Sequence, residues 1–262
     1  MQGLFLTPQT EPRLPSGRSG HLPASGEVGH AGGVEDGSTR QLNWKTAHAP
    51  ARTAIDGDLV RLEVLDPERH AESLFTSSHS AGAEGLWQHL PYGPFAGQRE
   101  FTVWLEQRAA EADPLFYAVV DWESMRALGM ASFLRINPQH GVIEIGHIWF
   151  APELQRTRKA TEAIFLMAKA AFDDLGYRRL EWKCDSLNVP SRRAADRFGF
   201  TFEGIFRQHM IVKGRNRDTA WFSITDGEWP SRRAAFQAWL APENFDPAGK
   251  QRRTLVEIRE SI

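Results

Sequence analysis

Val142 to Ala160 reads V-I-E-I-G-H-I-W-F-A-P-E-L-Q-R-T-R-K-A. The first part of this stretch is apolar and predicts a strand, Pro152 marks a turn, and a long amphipathic helix follows. The first turn of a helix presents backbone N–H groups without intrahelical partners and the positive end of the helix dipole. The junction therefore predicts an anion site that would fit a pyrophosphate. Four polar side chains gather there: Gln155, Arg156, Arg158 and Lys159.

Strands and helices are predicted on both sides of this junction. Apolar alternation predicts strands at 59–65, 115–122, 128–136, 142–150, 177–185, 201–212 and 218–225. Helical periodicity predicts helices at 67–75, 98–111, 157–175, 190–198 and 231–240. Short turns join three consecutive strands into an antiparallel meander, and a helix then leads to a parallel strand and a hairpin. This order predicts a mixed α/β fold with helices on both faces of one sheet.

The length and composition indicate one main domain. A chain of 262 residues, 41% of them apolar, is long enough for one substantial core. Residues 1–40 hold eight glycines and four prolines with almost no apolar periodicity, which predicts a disordered arm. We interpret residues 41–245 as a single domain and residues 246–262, where the pattern is lost, as a C-terminal tail.

Charge and cysteine content argue against several classes of protein. The formal net charge of −2 gives no overall attraction to nucleic acid or to an anionic membrane. The single cysteine, Cys184, excludes an internal disulfide, and its apolar strand setting favours a buried structural thiol over a nucleophile. The chain has neither a long apolar run nor a signal-peptide pattern, so we expect a cytoplasmic protein. The nine histidines lack metal-ligand spacing, so no metal is expected.

Four motifs occur in an order typical of one enzyme family. They are I-E-I-G-H-I at 143–148, Q-R-T-R-K-A at 155–160, N-V-P-S-R-R-A at 188–194 before G-F, and K-G-R-N-R-D at 213–218. The second resembles the pattern Q/R-x-x-G-x-G/A, with Arg158 in place of the first glycine. From about Leu59 to Pro230 the chain resembles the GNAT N-acetyltransferases, and most of all their RimJ/RimL-like branch. The resemblance implies the GNAT fold, with a central mixed, mostly antiparallel sheet.

The resemblance also implies acetyl-CoA as co-substrate. The segment that binds pyrophosphate in the family corresponds here to Gln155, Arg156, Thr157, Arg158, Lys159 and Ala160. Main-chain groups of Ile148, Trp149 and Phe150 would hold the pantetheine arm as though it were an added strand. Asn188 would bind the pantetheine amides. Arg192 or Arg193 would contact a CoA phosphate, or else both are simply solvated on the helix surface.

Acetylation of an amine requires a base that removes a proton from the bound ammonium. Glu144 is our candidate, because apolar neighbours would raise its pKa toward neutrality. The alternative is a glutamate that faces solvent or pairs with an arginine. Glu181 and Asp185, near the end of the neighbouring strand, are the reserve candidates.

The reaction also needs an oxyanion donor and a proton for the leaving thiol. By resemblance, the donor is a backbone N–H of Ile148 or Trp149, at a bulge. Many family members protonate the thiolate with a tyrosine at a position where this chain has Ala195. Ser191 corresponds to a serine of RimL-like enzymes and would donate or relay that proton. Its alternative role is the N-cap of the following helix.

Two segments are candidates for the acceptor pocket. The first is the aromatic loop that contains Trp87, Tyr92 and Phe95, and the second is the last hairpin, with Asp218 and Trp221. The alternatives are a surface loop anchored by its own aromatic residues and ordinary turn and surface charge.

We therefore expect an acetyl-CoA-dependent N-acetyltransferase that uses direct attack in a ternary complex, without metal. Its acceptor would be a primary amine, either a protein N-terminal α-amine or a small molecule, and the protein would be a monomer or homodimer. A second hypothesis is a catalytically inactive acyl-CoA-binding regulatory protein of the same fold. A third and weaker one is a single-strand nucleic-acid binder, based on tryptophan-rich loops and local arginine clusters.

Overall fold

The computed structural model describes residues 42–262, so the predicted arm at 1–40 lies outside the described residues. The strands in residues 42–262 are β1 Ile55–Asp56, β2 Val60–Val64, β3 Leu115–Asp121, β4 Ala127–Asn137, β5 Val142–Phe150, β6 Arg179–Asp185, β7 Thr201–Val212 and β8 Arg215–Thr225. These eight strands form one sheet in the order β1-β2-β3-β4-β5-β6-β8-β7. The α-helices are α1 Pro67–Ser78, α2 Gln98–Ala110, α3 Arg158–Lys169, α4 Val189–Arg197, α5 Trp229–Leu240 and α6 Leu255–Arg259.

The sheet is antiparallel except for one pair of strands. Strands β3 to β5 form the predicted three-stranded meander, β2 adds to it antiparallel to β3, and β6, β8 and β7 pair antiparallel with one another. Strands β5 and β6 are parallel, but their pairing ends at Ile145 and Trp182. Beyond that point the two strands separate, which opens a gap in the middle of the sheet.

The two faces of strands β5, β6 and β8 differ in chemistry because successive side chains point to opposite sides. We call one the apolar face; it carries Ile143, Ile145, Leu180, Trp182, Ala220 and Phe222 in the main core, under α3 and α5. We call the other the polar face; it carries Glu144, Glu181, Lys183, Asp185, Arg217 and Trp221. Helices α1 and α2 cover the neighbouring part of that second side, over β3 and β4, with a separate aromatic cluster.

Several element boundaries differ from the sequence prediction. The helix predicted at 157–175 is α3 followed by a π-helical turn, Ala170–Asp174, and it stops before Gly176 at φ 74°. Strand β8 begins three residues earlier than predicted, because a two-residue turn with positive φ at Lys213 and Gly214 lets it pair with β7 from Arg215 onward.

The segment after Leu240, which shows no pattern in the sequence, contains further structure. A 3₁₀ turn at Pro242–Asn244 precedes α6, whose side chains Leu255 and Ile258 are buried in the main core. A capping box between Thr254 and Glu257 starts this helix. None of the helices in residues 42–262 is both long and apolar enough to cross a membrane.

Candidate active site

The gap between β5 and β6 opens into a cavity of about 1740 Å³. Its walls come from the end of β5, the start of α3, the end of β6, the start of α4, the loop before α2 and the last hairpin. Most of the predicted catalytic and cofactor residues line it: Glu144, Ile148, Trp149, Phe150, Gln155, Arg156, Thr157, Arg158, Lys159, Ala160, Asn188 and Ser191.

The start of α3 presents free backbone donors to this cavity. The backbone N–H groups of Arg156, Thr157, Arg158 and Lys159 donate to no acceptor within residues 42–262. The Thr157 hydroxyl caps the helix by accepting from the backbone N–H of Ala160 (3.1 Å). Because these donors lie at the positive end of α3, an anion is stabilised there.

The basic side chains beside these donors differ in availability. The Arg158 guanidinium donates to the Leu240 carbonyl (2.7 Å) and lies 4.3 Å from the Phe245 ring centroid. Lys159 pairs with Asp121 (2.8 Å) and with the exposed Glu123 (3.0 Å). Arg156 is exposed and has no carboxylate partner among the described residues, so it is the more available cation.

Arginines of α4 divide between the cavity and the surface. Arg192 donates to the Ser186 carbonyl (3.3 Å) and lies over Phe202, outside the cavity lining, whereas Arg193 is part of that lining. Arg197, which sequence reasoning missed, also lines the cavity. Its Nη1 donates to the Thr161 hydroxyl (3.1 Å), and burial lowers its pKa. Only the packing of α4 against α3 brings it there.

Strand β5 is irregular where the gap opens. Ser132 faces Gly146 and Met130 faces Trp149, so one residue of β4 opposes two of β5. This is a bulge, and within it His147 has φ 51°. The predicted oxyanion donors, the N–H groups of Ile148 and Trp149, lie at this bulge, on the part of β5 that no longer pairs with β6.

Glu144 is buried on the polar face, with 3% of its surface exposed. Its Oε2 accepts from Arg135 Nη1 (2.7 Å) and from Lys183 Nζ (2.9 Å). Burial raises the pKa of Glu144, and the charges of Lys183 and Arg135 oppose that rise. No hydrogen bond among residues 42–262 involves Oε1. The arginine pair considered from sequence is therefore present, and one oxygen stays free.

The two reserve carboxylates lie in different places. Glu181 pairs with Lys183 (2.6 Å) and with Arg179 (2.7 Å) and does not line the cavity. Asp185 does line it; its Oδ1 accepts the Leu187 N–H (2.9 Å) and its Oδ2 lies 3.3 Å from His89 Nδ1. No sequence spacing links His89 to Asp185, so this contact could not be anticipated.

Ser191 lines the cavity but is not the N-cap of α4. Asn188 is the cap, because its Oδ1 accepts the backbone N–H of Ser191 (3.1 Å); the capping role considered for Ser191 is wrong. The Ser191 hydroxyl instead accepts from Trp182 Nε1 (3.0 Å). Cys184 nearby is buried, and burial raises the pKa of its thiol, as befits a structural cysteine.

The five predicted acceptor residues do not line the cavity. Trp87 and Phe95 are buried in the aromatic cluster under α2, and Tyr92 stacks on His147. Asp218 accepts from the Gln208 backbone (2.7 Å), while the Trp221 ring lies 3.8 Å from Lys183 Nζ. The lining residues of the aromatic loop are instead Leu86, Gln88, His89, Leu90 and Pro91.

His147 is a further cavity residue that the sequence did not single out. Its Nδ1 lies 3.3 Å from the Tyr92 hydroxyl. Burial lowers its pKa to about 4, and the charges of Arg135, Arg108 and Arg217 act in the same direction. The imidazole is therefore neutral at physiological pH.

Comparison with known proteins agrees with this geometry. Residues 60–201 match the family model described as "Acetyltransferase (GNAT) domain". The chain therefore belongs to the GNAT acetyltransferase family, and the expected fold is confirmed.

Solved structures extend the match over most of the chain. A GCN5-related N-acetyltransferase from Brucella melitensis is 52% identical with a TM-score of 0.82, covering 83% of this chain and 99% of that one. A probable GNAT-family acetyltransferase from Chromobacterium violaceum ATCC 12472 is 49% identical with a TM-score of 0.69, covering 74% and 96%. The "Putative ribosomal N-acetyltransferase YdaF" of Bacillus subtilis (strain 168) is 29% identical over 176 residues, which is 64% of this chain and 90% of the relative. This protein is an acetyl-CoA-dependent acyltransferase.

Proposed function

We propose that this enzyme transfers the acetyl group of acetyl-CoA to a primary amine by direct attack within a ternary complex, as a member of the RimJ/RimL-like branch. The observation that carries the proposal is the gap between β5 and β6. It joins the free N–H groups at the start of α3 to the buried carboxylate of Glu144 through one continuous cavity.

Acetyl-CoA would lie in this cavity with its pyrophosphate at the start of α3 and its thioester at the bulge of β5. The backbone donors of residues 156–159, together with the Arg156 side chain, bind the pyrophosphate. The unpaired edge of β5 at Ile148, Trp149 and Phe150 bonds the pantetheine amides from one side, and Asn188 Nδ2 is available on the other, since its Oδ1 caps α4. The thioester then lies at the bulge.

Groups around the bulge supply the three proton and charge requirements. Glu144 Oε1, directly or through water, takes a proton from the acceptor ammonium, and the free amine attacks the thioester carbon. The N–H of Ile148 or Trp149 stabilises the oxyanion that forms. As the carbon–sulfur bond breaks, the proton that the attacking nitrogen loses passes to the Ser191 oxygen while Ser191 gives its own proton to sulfur, so that the products are the neutral amide and the thiol of CoA. The Ser191 hydroxyl accepts from Trp182 and so keeps its own hydrogen for this relay.

The acceptor enters from the polar face, between the aromatic loop and the last hairpin. Lys213 Nζ donates to the carbonyls of Trp87 (2.8 Å) and Gly93 (2.7 Å), which ties the hairpin tip to that loop. The relative YdaF is named a putative ribosomal N-acetyltransferase, which favours a protein amine as the acceptor, and the N-terminal α-amine is the protein amine that we propose.

The rival hypothesis is a catalytically inactive acyl-CoA-binding protein of the same fold. Thiol release from acetyl-CoA, with mass spectrometry of the acceptor, distinguishes the two across amino acids, small amines and peptides with free N-termini. We expect stoichiometric thiol and acetylated amine from at least one acceptor. Binding of acetyl-CoA without acetylation of any acceptor class would favour the inactive protein.

A further inference from the structure

Arg217 of β8 lines the same cavity on its acceptor side. It lies on the polar face, two residues before Thr219, which stands opposite Asp185 of β6. His209, Met210 and Thr219 form the wall of the cavity around it. Helix α3, which provides the phosphate-binding donors, packs instead on the apolar face.

The guanidinium of Arg217 has no partner among the described residues, in contrast to four other cations on the same side of the sheet. Arg135 pairs with Glu144, Lys183 with Glu144 and Glu181, Arg179 with Glu181 and Glu203, and Arg108 with Glu111. Within residues 42–262 no carboxylate lies within salt-bridge distance of Arg217, and its Nε is buried without an acceptor.

Because Arg217 lines an open cavity and its guanidinium has no hydrogen-bond or ion-pair partner among residues 42–262, an anionic ligand in that cavity is the simplest partner for it. The planar guanidinium presents N–H groups in a fork that matches a carboxylate or a phosphate. Because the diphosphate of acetyl-CoA is bound at the start of α3, across the sheet, the oxyanion that reaches Arg217 belongs to the acceptor.

We infer that the acceptor is an amine that also carries a carboxylate or phosphate group, and that Arg217 binds this group. The inference rests on the proposed acetyl transfer, because it assigns the substrate class of that reaction. Pairing with Arg217 would hold the acceptor by its anion and leave its amine directed toward the bulge and Glu144.

The test uses three pairs of amines that differ only in the anionic group. They are alanine and alaninamide, phosphoethanolamine and ethanolamine, and the C-terminally amidated peptides Ser-Glu-Ala and Ser-Gln-Ala. Binding to the full-length protein saturated with CoA is measured by calorimetry, and kcat/KM is measured with acetyl-CoA. Arg217→Gln is compared with Arg215→Gln, which changes an exposed arginine of the same hairpin outside the cavity.

We expect wild type to prefer the anionic member of at least one pair by about tenfold to a hundredfold, the usual range for one hydrogen bond to a charged group. Arg217→Gln should remove this preference and Arg215→Gln should keep it. Comparing the variants on the same pair cancels differences in amine basicity. The pair that responds distinguishes an amino acid, a phosphorylated amine and an acidic peptide.

The two possible failures are distinguishable. If no pair shows a preference that depends on Arg217 in binding or in turnover, the anion site is refuted, even if amines are acetylated. If binding shows the preference but no amine is acetylated, the anion site stands and the proposed acetyl transfer fails. An equal loss for both members of a pair in Arg217→Gln would assign Arg217 a structural role and overturn the inference.

Discussion

The apolar face and the polar face of the sheet come from the same strands, yet the apolar face forms the main core and the polar face carries the charged groups beside the cavity. In β6, Leu180, Trp182 and Cys184 enter the main core, while Glu181 and Lys183 alternate with them on the polar face. The side chains of both sets are almost fully buried. Burial alone therefore does not distinguish the core residues of this protein from the candidate site residues. The contacts do, because core side chains pack against apolar groups and side chains of the polar face pair with charged groups.

On the polar face, a charge chain of alternating sign crosses four strands, and its central members are buried. It runs from Arg135 through Glu144, Lys183, Glu181 and Arg179 to Glu203, with successive contacts of 2.7, 2.9, 2.6, 2.7 and 2.5 Å. The side chains of Glu144, Lys183 and Glu181 are almost fully buried, so each of these three charges would be costly without its neighbours. The charge chain fixes Glu144 at the edge of the cavity in a single position.

Replacement of Glu144 is the strongest test of whether the polar face carries out the chemistry. Glu144→Gln keeps the shape of the side chain but cannot accept a proton, so kcat should fall by about 10²–10⁴-fold. Steady-state thiol release measures this effect. Because burial raises the pKa of Glu144 and the base must be ionised, kcat/KM of wild type should fall on acidification at a higher pH than an ordinary glutamate would dictate, and the variant should lack that limb.

Glu181→Gln is the matched control, because Glu181 belongs to the same charge chain but does not line the cavity. We expect both variants to lose similar thermal stability, and Glu181→Gln to keep most of its turnover. Equal losses of activity in the two variants would mean that Glu144 only maintains the structure of the charge chain and is not the base.

The fold could be predicted largely because its signals are local. Alternation in β3 to β6 and the apolar stripe of α3 are visible in short windows of sequence. The free donors at the start of α3 could be predicted for the same reason, since strand, turn and helix are contiguous from Val142 to Ala160. The five-residue helix α6 was missed because a segment that short shows hardly more than one turn of periodicity.

The acceptor side could not be predicted, because its contacts join distant parts of the chain. His89 and Asp185 are 96 residues apart, and Lys213 donates to the carbonyls of Trp87 and Gly93 across 126 and 120 residues. The aromatic residues of the loop indicated a pocket, but Trp87 and Phe95 are used to anchor the loop in the core. Its less conspicuous residues face the cavity.

On the apolar face, removal of a core side chain should change stability and spare chemistry. Ile164 of α3 is fully buried in the main core, so Ile164→Ala should lower the free energy of unfolding by about 2–5 kcal/mol, through lost burial and the cavity left behind. Chemical denaturation measures the loss, and kcat at a temperature where the variant stays folded should match wild type. The same substitution at Ile211, whose surface is 83% exposed, should change stability by less than about 0.5 kcal/mol.

At the start of α3, substitutions should change the affinity for CoA. Arg156→Gln removes the exposed cation beside the free donors of α3 and should weaken CoA binding by about tenfold, the low end for a charged hydrogen bond. Calorimetry with CoA measures it, and Arg99→Gln, an exposed arginine outside the cavity, serves as the control. Unchanged affinity in Arg156→Gln would assign the phosphate contacts to the backbone donors and the other cations of the cavity.

The smallest effect is expected where the gap meets α4. Asn188 caps this helix through its Oδ1, so Asn188→Ala should lower the free energy of unfolding by about 1 kcal/mol, while Asn188→Asp retains an oxygen acceptor and should lose little. Urea denaturation of the two variants measures the difference. Because Asn188→Asp also loses the Nδ2 donor, its affinity for CoA reports separately on the pantetheine contact. If Asn188→Asp keeps both stability and affinity, the helix cap is the only function of Asn188. The pantetheine amides would then be bound by the backbone of β5 and not by Asn188.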